Sequence, residues 1–153
     1  MTPEIRNGIL QHLLSGKPAD SDLHVLWVAD SGDGIPPQLQ CDYCPPASQA
    51  LSAFDQSSFD YAVLADLPGD LGKPTAEALL ARMRDINAQR VFWVVQAGAP
   101  WEKQEIMALG FRELQHDESE ALYGFDIENY KHTPDWLNAR HWANPERWDK
   151  ERW

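Results

Sequence analysis

Aspartate and glycine residues follow the two most apolar stretches of the chain, and their types allow them to bind a ligand. Asp30, Gly32 and Gly34 follow the first stretch, and Asp66 lies near the end of the second. In open parallel sheets, ligands bind outside the carboxyl ends of the strands. Carboxylates at such an edge can hold a ribose, an amine or a hard metal ion. Aspartate and glycine are also the usual residues of turns and helix caps, so the sequence leaves both interpretations open.

A second candidate is the pair Cys41 and Cys44, which has the spacing Cys-x-x-Cys. Such a pair can act as a redox dithiol or supply half of a zinc site. A redox pair usually lies at a helix N-terminus, where the dipole favours the thiolate. A structural zinc ion needs two further ligands, and the five histidines are scattered along the chain. We therefore predict loop cysteines without a metal, and a metal or redox module stays open as an alternative.

The candidate residues need strands to position them, and three apolar runs are typical of such strands. The runs cover residues 23–29, 59–67 and 90–97. Strands that are buried on both faces of a parallel sheet have continuous runs of this kind, rich in valine and aromatic residues. Residues 38–43 are predicted to form a short edge strand.

Segments with helical spacing of apolar residues separate these runs. The first helix is predicted within residues 1–16, because its start carries a hydroxyl cap, a proline and an acid. Pro74 begins a second helix, whose apolar positions repeat at helical spacing as far as Ile86. Residues 101–109 are predicted to form a third helix, which Gly110 closes in the left-handed conformation.

The last two strands are predicted at residues 111–116 and 121–130, joined by a polar hairpin tip. The alternation of strands and helices before them implies right-handed crossovers and a mostly parallel sheet. We therefore predict an α/β fold: a mostly parallel Rossmann-like sheet with a C-terminal antiparallel hairpin and a Trp-rich helical tail. Residues 1–153 are predicted to form one domain, with an α/β core at 23–131 and a helical clasp at 133–153.

This order of elements resembles the methyltransferase fold that uses S-adenosylmethionine. Residues 25–34 stand where that family has its first glycine-rich turn. Residues 59–70 resemble the strand whose end borders the methyl-transfer centre, and residues 105–114 resemble its helix, Gly-Phe step and sixth strand. The resemblance covers residues 23–131. It implies that the cofactor-binding residues are the following four: Asp30, Gly32, Gly34 and Asp66.

The glycine-rich turn departs from the family pattern. Val28 occupies the position of the family's acid, and Asp30 occupies the position of its first glycine. Glycine lets the backbone approach a cofactor closely, whereas aspartate adds bulk and charge. Pro36 and Pro37 block the helix that follows the turn. We therefore expect a degenerate cofactor site that binds S-adenosylmethionine weakly or not at all.

The C-terminal tail is rich in tryptophan, with Trp136, Trp142, Trp148 and Trp153 in the last part of the chain. Two sets of cap, proline and acid predict two short helices there. Residues 130–148 also resemble an uncharacterised bacterial family that has this kind of domain and no known activity. We predict that the tail clasps its own sheet. A homodimer or protein-partner interface through Trp136, Trp142 and Trp148 stays open, because tryptophan favours buried interface centres.

The charge of the chain is strongly negative, with 24 acidic residues against 13 basic residues and a net charge of −11. Such a surface repels phosphate backbones and anionic lipids at long range. Neither nucleic acid nor a membrane is therefore a predicted partner. The chain contains two cysteines, no apolar run of membrane-spanning length and no signal-peptide pattern. These features predict a cytoplasmic protein.

Three functions remain open on this basis. The sequence contains neither the Gly-x-Ser-x-Gly motif of α/β-hydrolases nor a phosphate-binding P-loop. The leading hypothesis is a non-catalytic binding or assembly protein. The alternatives are a small S-adenosylmethionine-dependent methyltransferase and a metal or redox module at the cysteine pair. An open groove at the carboxyl ends of the strands favours an enzyme, whereas a groove filled by side chains favours a scaffold.

Overall fold

A computed structural model describes residues 1–15, 23–29, 35, 41–44, 58–65, 67, 71–129 and 150. The described strands are β1 (Val25–Val28), β2 (Cys41–Cys44), β3 (Phe59–Leu64), β4 (Ala88–Gln96), β5 (Arg112–His116) and β6 (Glu120–Asp126). The described helices are α1 (Pro3–Ser15), α2 (Lys73–Arg82) and α3 (Lys103–Ala108), with a π-helical turn at Met83–Asn87.

The six described strands form one mixed sheet in the order β2-β1-β3-β4-β6-β5. Strands β2, β1, β3 and β4 pair in parallel. Strand β6 is antiparallel to both of its neighbours. The predicted parallel core and the closing hairpin are therefore confirmed, and the short strand predicted near residues 38–43 lies at Cys41–Cys44 on the sheet edge.

Apolar clusters cover both faces of the sheet. On one face, Ile5, Ile9 and Leu13 of α1 pack with Trp27 and other sheet residues. On the opposite face, α2 and α3 contribute leucines and Ile106 to a second cluster. All four residues of β1 are fully buried, which is the reason for its continuous apolar sequence. Each buried side chain of this kind stabilises the fold by roughly 1.5–3 kcal/mol.

The end of the second helix differs from the sequence prediction. Ile86 was expected on the buried face of a regular helix, but its side chain is 59% exposed, whereas Asn87 is fully buried. The cause is the π-helical turn at Met83–Asn87, which holds more residues per turn than an α-helix. The wider turn rotates Ile86 away from the sheet and brings Asn87 against it.

The hairpin between β5 and β6 is tied to the start of α1 through Asp117. Its carboxylate accepts hydrogen bonds from the backbone N–H groups of Ser119 and Glu120. The hydroxyl of Thr2 donates to the other carboxylate oxygen at 2.7 Å. These bonds, above all the one from Thr2, hold the pKa of Asp117 well below its usual range. The polar hairpin tip predicted from the sequence therefore also anchors the N-terminal helix.

No helix in the described part of the chain has both the length and the apolar character needed to cross a bilayer.

Candidate functional site

The order of the sheet reverses at β1, which has β2 on one side and β3 on the other. Ligands in open α/β sheets bind at such a switch point, in the crevice outside the carboxyl ends of the strands. The backbone N–H of Ala65 donates to the carbonyl of Val28 at 2.9 Å, so the carboxyl ends of β1 and β3 lie side by side. This edge is therefore the expected position of a ligand site.

The four residues predicted to bind a cofactor lie outside the described residues: Asp30, Gly32, Gly34 and Asp66. The described residues that precede them are Ala29 and Ala65, which are 4% and 7% exposed. These two alanines directly follow the neighbouring parallel strands β1 and β3. The cofactor-binding roles of the four residues remain predictions.

An open cavity of about 350 Å³ adjoins the same edge, and we call it the strand-end pocket. Leu67, three residues beyond β3, lines one side of it. The first turn of α2 lines another side, and the end of β4 with the loop that follows completes the described wall. The principal side chains on the pocket are the following: Leu67, Lys73, Trp93, Gln96 and Trp101.

Two indoles give the strand-end pocket an aromatic wall. Trp93 of β4 is 1% exposed and packs in the core cluster of that face. The ring of Trp101 meets it edge to face, with centroids 5.0 Å apart and an interplanar angle of 90°. Edge-to-face aromatic pairs contribute roughly 0.5–1.5 kcal/mol beyond the burial of their area. This contact with a core residue therefore helps to hold the wall in place.

Lys73 joins this aromatic wall to the neighbouring helix. Its ammonium nitrogen lies 5.2 Å from the centroid of the Trp101 ring, a cation–π distance. Both carboxylate oxygens of Glu105 lie 2.6 Å from the same nitrogen. Glu105 also accepts the backbone N–H of Glu102 at the start of α3. The hydrogen bond from Lys73, followed by that from Glu102, lowers the pKa of Glu105 below its ordinary value.

Gln96 is held at the mouth of the strand-end pocket by a buried carboxylate. Its side-chain amide donates to Glu120 at 2.8 Å, and Glu120 is 3% exposed. Gln96 and Glu120 are register partners in the β4–β6 ladder. Glu120 also accepts the backbone N–H of Thr2. The antiparallel hairpin and the N-terminal segment thus both support the position of Gln96.

The site residues predicted from the sequence did not include Lys73, Trp101 or Glu105. One local signal was present for Lys73: it begins a helix whose first turn has no acidic residue. A cation at a helix N-terminus opposes the macrodipole, so its placement there indicates a partner elsewhere. That partner, Glu105, lies 32 residues away in the chain, and no spacing rule predicts the contact.

Comparison with protein-family models gives one match, over residues 6–153, to a family of unknown function designated DUF6231. The chain belongs to the DUF6231 family. The match extends through the Trp-rich tail, so the tail is part of the family's common sequence. No curated protein sequence is significantly similar to this DUF6231 chain.

Solved structures with the same fold include methyltransferases. The chain aligns with monomeric WbdD at a TM-score of 0.59 and 13% identity, covering 83% of this chain and 42% of WbdD. The methyltransferase domain of bacterial CtHen1 aligns at a TM-score of 0.54 and 10% identity, covering 80% and 97%. Magnesium protoporphyrin IX methyltransferase from Synechocystis PCC 6803 aligns at 0.51 and 8% identity, covering 79% and 77%. At these identities the likeness shows the fold, which is Rossmann-like and methyltransferase-like, and the DUF6231 chain spans less than half of WbdD.

Both cysteines of the DUF6231 chain lie in strand β2, so the prediction of loop cysteines is wrong, and the edge strand predicted near residues 38–43 contains the pair. Cys41 packs at the margin of the apolar cluster beneath α1, while the side chain of Cys44 lies outside the described residues. Among the described residues, no group of three or more metal-ligating side chains is present. The tail tryptophans Trp136, Trp142 and Trp148 also lie outside the described residues, and the clasp remains a prediction.

Proposed function

We propose that this DUF6231 protein binds a small ligand in the strand-end pocket and acts as a binding or assembly protein on a methyltransferase-like fold. The observation that carries the proposal is the wall formed by Lys73, Trp101 and Glu105. An ammonium group rests on an indole and is held there by a carboxylate that also caps a helix. Such a wall loses little conformational entropy when a ligand binds, which favours affinity.

The chemistry of the lining supports a particular class of ligand. The described wall consists of two indoles, aliphatic side chains and the backbone of residues 97–100, with Lys73 and Gln96 as its polar side chains. An ammonium group has three donors, and two carboxylate oxygens of Glu105 occupy at most two of them. The pocket therefore suits a small aromatic molecule that carries a hydrogen-bond acceptor such as a carboxylate.

The sequence supports binding without methyl transfer. Val28 and Asp30 replace the acid and the first glycine that the methyltransferase family uses at its cofactor turn. Pro36 and Pro37 follow closely and interrupt helix formation. A cofactor that needs close backbone approach is disfavoured by this turn.

A second candidate function is a small S-adenosylmethionine-dependent methyltransferase. The open strand-end pocket favours it, because Leu67 on its wall directly follows Asp66, the residue predicted to border the transfer centre. In this case the pocket would receive the methyl acceptor. The cofactor would lie along residues 29–34.

Calorimetric titration separates the two functions. The probes are S-adenosylmethionine and 2-naphthoate, an aromatic ring with one carboxylate, each titrated into the full chain. We expect 2-naphthoate to bind to the parent chain. Trp101→Ala and Lys73→Met are each expected to weaken this binding at least tenfold. The control is Met107→Ala, an exposed change in α3 outside the pocket, which is expected to leave the binding of 2-naphthoate unaltered. S-adenosylmethionine is expected to show weak binding or none.

Two results would contradict the proposal. Binding of 2-naphthoate that ignores Trp101→Ala would exclude the strand-end pocket as its site. Tight binding of S-adenosylmethionine, with a gain in stability of about 2.7 kcal/mol at a hundredfold excess over Kd, would contradict the degenerate cofactor site. The methyltransferase function would then be preferred.

We also propose a cytoplasmic location and partners other than nucleic acid or membranes. The net charge of −11 supports this assignment, because it repels phosphate and anionic lipid. Cell fractionation with an antibody to the chain tests it, and recovery in the membrane fraction would contradict it.

A further inference from the structure

A second cavity, of about 490 Å³, lies on the α1 face of the sheet, and we call it the α1-side groove. It opens beside the last turn of α1 and crosses strands β4, β6 and β5. The side chains on its floor and rim include the following: His12, Arg90, Phe92, Arg112, Leu114 and Asp126. The amino-terminal half of β4 contributes Arg90 and Phe92, so the groove lies away from the strand-end pocket at its carboxyl end.

The floor of the α1-side groove is apolar. Phe92 lies on it, stacked on Tyr61 at 6.1 Å and tilted against His12 at 5.7 Å. Leu114 crosses over Gly124 on the neighbouring strand, since a Cβ added at Gly124 would lie 2.6 Å from a Leu114 methyl group. Leu114 nevertheless keeps 41% of its surface exposed. An apolar side chain in a groove of this kind favours an apolar occupant.

The rim of the groove carries charged side chains, whereas its floor is apolar. Arg90 is engaged by Asp126 at 2.9 Å and by the hydroxyl of Tyr61 at 3.2 Å. Arg112 has five N–H donors, and within the described part of the chain one of them reaches the carbonyl of Asn129 at 3.3 Å. The guanidinium of Arg112 is therefore available to an acidic or aromatic group of an occupant.

The described range 71–129 ends at the α1-side groove. Its last residue, Asn129, lines the groove, and the backbone carbonyl of Asn129 accepts a hydrogen bond from Arg112. The segment that follows holds Asp135 and Trp136 within seven residues. Seven extended residues reach at most about 25 Å, which is enough to cross a cavity of this volume. The segment therefore begins beside the groove. It carries an apolar indole, which suits the floor of the groove, and a carboxylate, which suits the charged rim.

We propose that the C-terminal tail of the same chain, residues 133–153, docks in the α1-side groove with the indole of Trp136 on its floor and Asp135 near Arg112. The tail then covers the part of the sheet that α1 leaves open. This inference is independent of the ligand proposed for the strand-end pocket.

Disulfide trapping in the full chain tests the docking. In a background with Cys41→Ser and Cys44→Ser, one variant carries Leu114→Cys with Asn138→Cys. The matched control carries Met107→Cys with Asn138→Cys, because Met107 is 56% exposed on α3, which packs on the opposite face of the sheet. Mild oxidation with oxidised glutathione is followed by non-reducing electrophoresis, after thermal melting has shown that both variants fold.

We expect an intramolecular disulfide in the Leu114 pair at least tenfold faster than in the Met107 pair. Equal rates for the two pairs would overturn the proposal, because a tail without a fixed position reaches both faces. A covalent dimer would also overturn it in favour of a homodimer in which the tail of a second copy occupies the groove.

If the variants fail to fold, the full-length Trp136→Ala and Trp136→Phe forms are compared. Docking predicts a lower denaturation midpoint for alanine and partial recovery for phenylalanine, and equal midpoints for both variants and the parent would overturn it.

Discussion

The ammonium nitrogen of Lys73 lies 2.6 Å from both carboxylate oxygens of Glu105, a residue 32 positions further along the chain. The pair joins the start of α2 to the start of α3 and fixes the wall of the strand-end pocket. The side chains of Lys73 and Glu105 are 35% and 41% exposed, so solvent screens their attraction. The main effect of the pair is therefore to position the ammonium group over Trp101.

Replacement of Glu105 by glutamine is expected to lower stability in a pH-dependent way. The folded-state pKa of Glu105 lies below its ordinary value of 4.5, so its carboxylate stabilises the fold above that pH. The contribution disappears as the pH falls through the folded-state pKa. The difference in melting temperature between the parent and Glu105→Gln is expected to be constant from pH 8 to pH 5 and to shrink below pH 4.5. A difference that grows on acidification would contradict the assignment.

Replacement of Trp101 by alanine is expected to cost about 2 kcal/mol of unfolding free energy, less than the loss of a fully buried tryptophan. Truncation of a fully buried tryptophan costs roughly 3–5 kcal/mol, and Trp101 is only half-buried. The loss includes its edge-to-face contact with Trp93 at 5.0 Å. Urea denaturation measures the change. Trp101→Phe is the control, because it keeps an aromatic ring beside Trp93, and an equal loss in both variants would show that the ring contact is unimportant.

Replacement of Gly124 by alanine is expected to destabilise the hairpin by about 1 kcal/mol, the low end of the usual cost of overpacking, because Leu114 is 41% exposed and can move aside in part. The added Cβ would lie 2.6 Å from a methyl carbon of Leu114 and 3.2 Å from its Cγ. Leu114→Ala removes the obstacle, so the double variant is expected to be more stable than the sum of the single changes predicts. Chemical denaturation of all four proteins measures the coupling, and simple additivity would mean that the two residues do not meet.

Replacement of Arg90 by methionine is expected to cost about 1–2 kcal/mol, because charge-assisted hydrogen bonds are lost at the partly exposed start of β4. Its guanidinium joins Tyr61 to Asp126 and lies 5.8 Å from the tyrosine ring centroid. Arg90→Lys keeps the charge but cannot make both bonds from one planar group. It is expected to recover less than half of the loss, as measured by urea denaturation. Full recovery by lysine would show that charge alone is sufficient.

The sequence by itself determined most of the strands and helices of the described sheet and its division into a parallel part and a closing antiparallel hairpin. The run that became β1 is continuously apolar, and those that became β3 and β4 are largely so, because a central parallel strand is covered on both faces. The hairpin tip was predicted from a polar stretch, and Asp117 accounts for that stretch by bonding to backbone groups on its own turn. Gly110, the predicted helix cap, has a φ of 93°, a conformation that favours glycine. These features are local, so a single sequence contains the information for them.

Only the tertiary structure decided the contacts between distant elements. The π-helical segment exposes the side chain of Ile86, although the spacing of Ile86 from the other apolar residues matches a regular helix. Lys73 is hydrogen-bonded to Glu105, and Arg112 is hydrogen-bonded to Asn129, because the crossovers and the hairpin bring separate segments to one edge or one face of the sheet. Helical spacing and strand alternation specify which side of an element is apolar. They do not specify which residue of another element that side will meet, and this is the reason that the pocket and the groove became visible only in the folded chain.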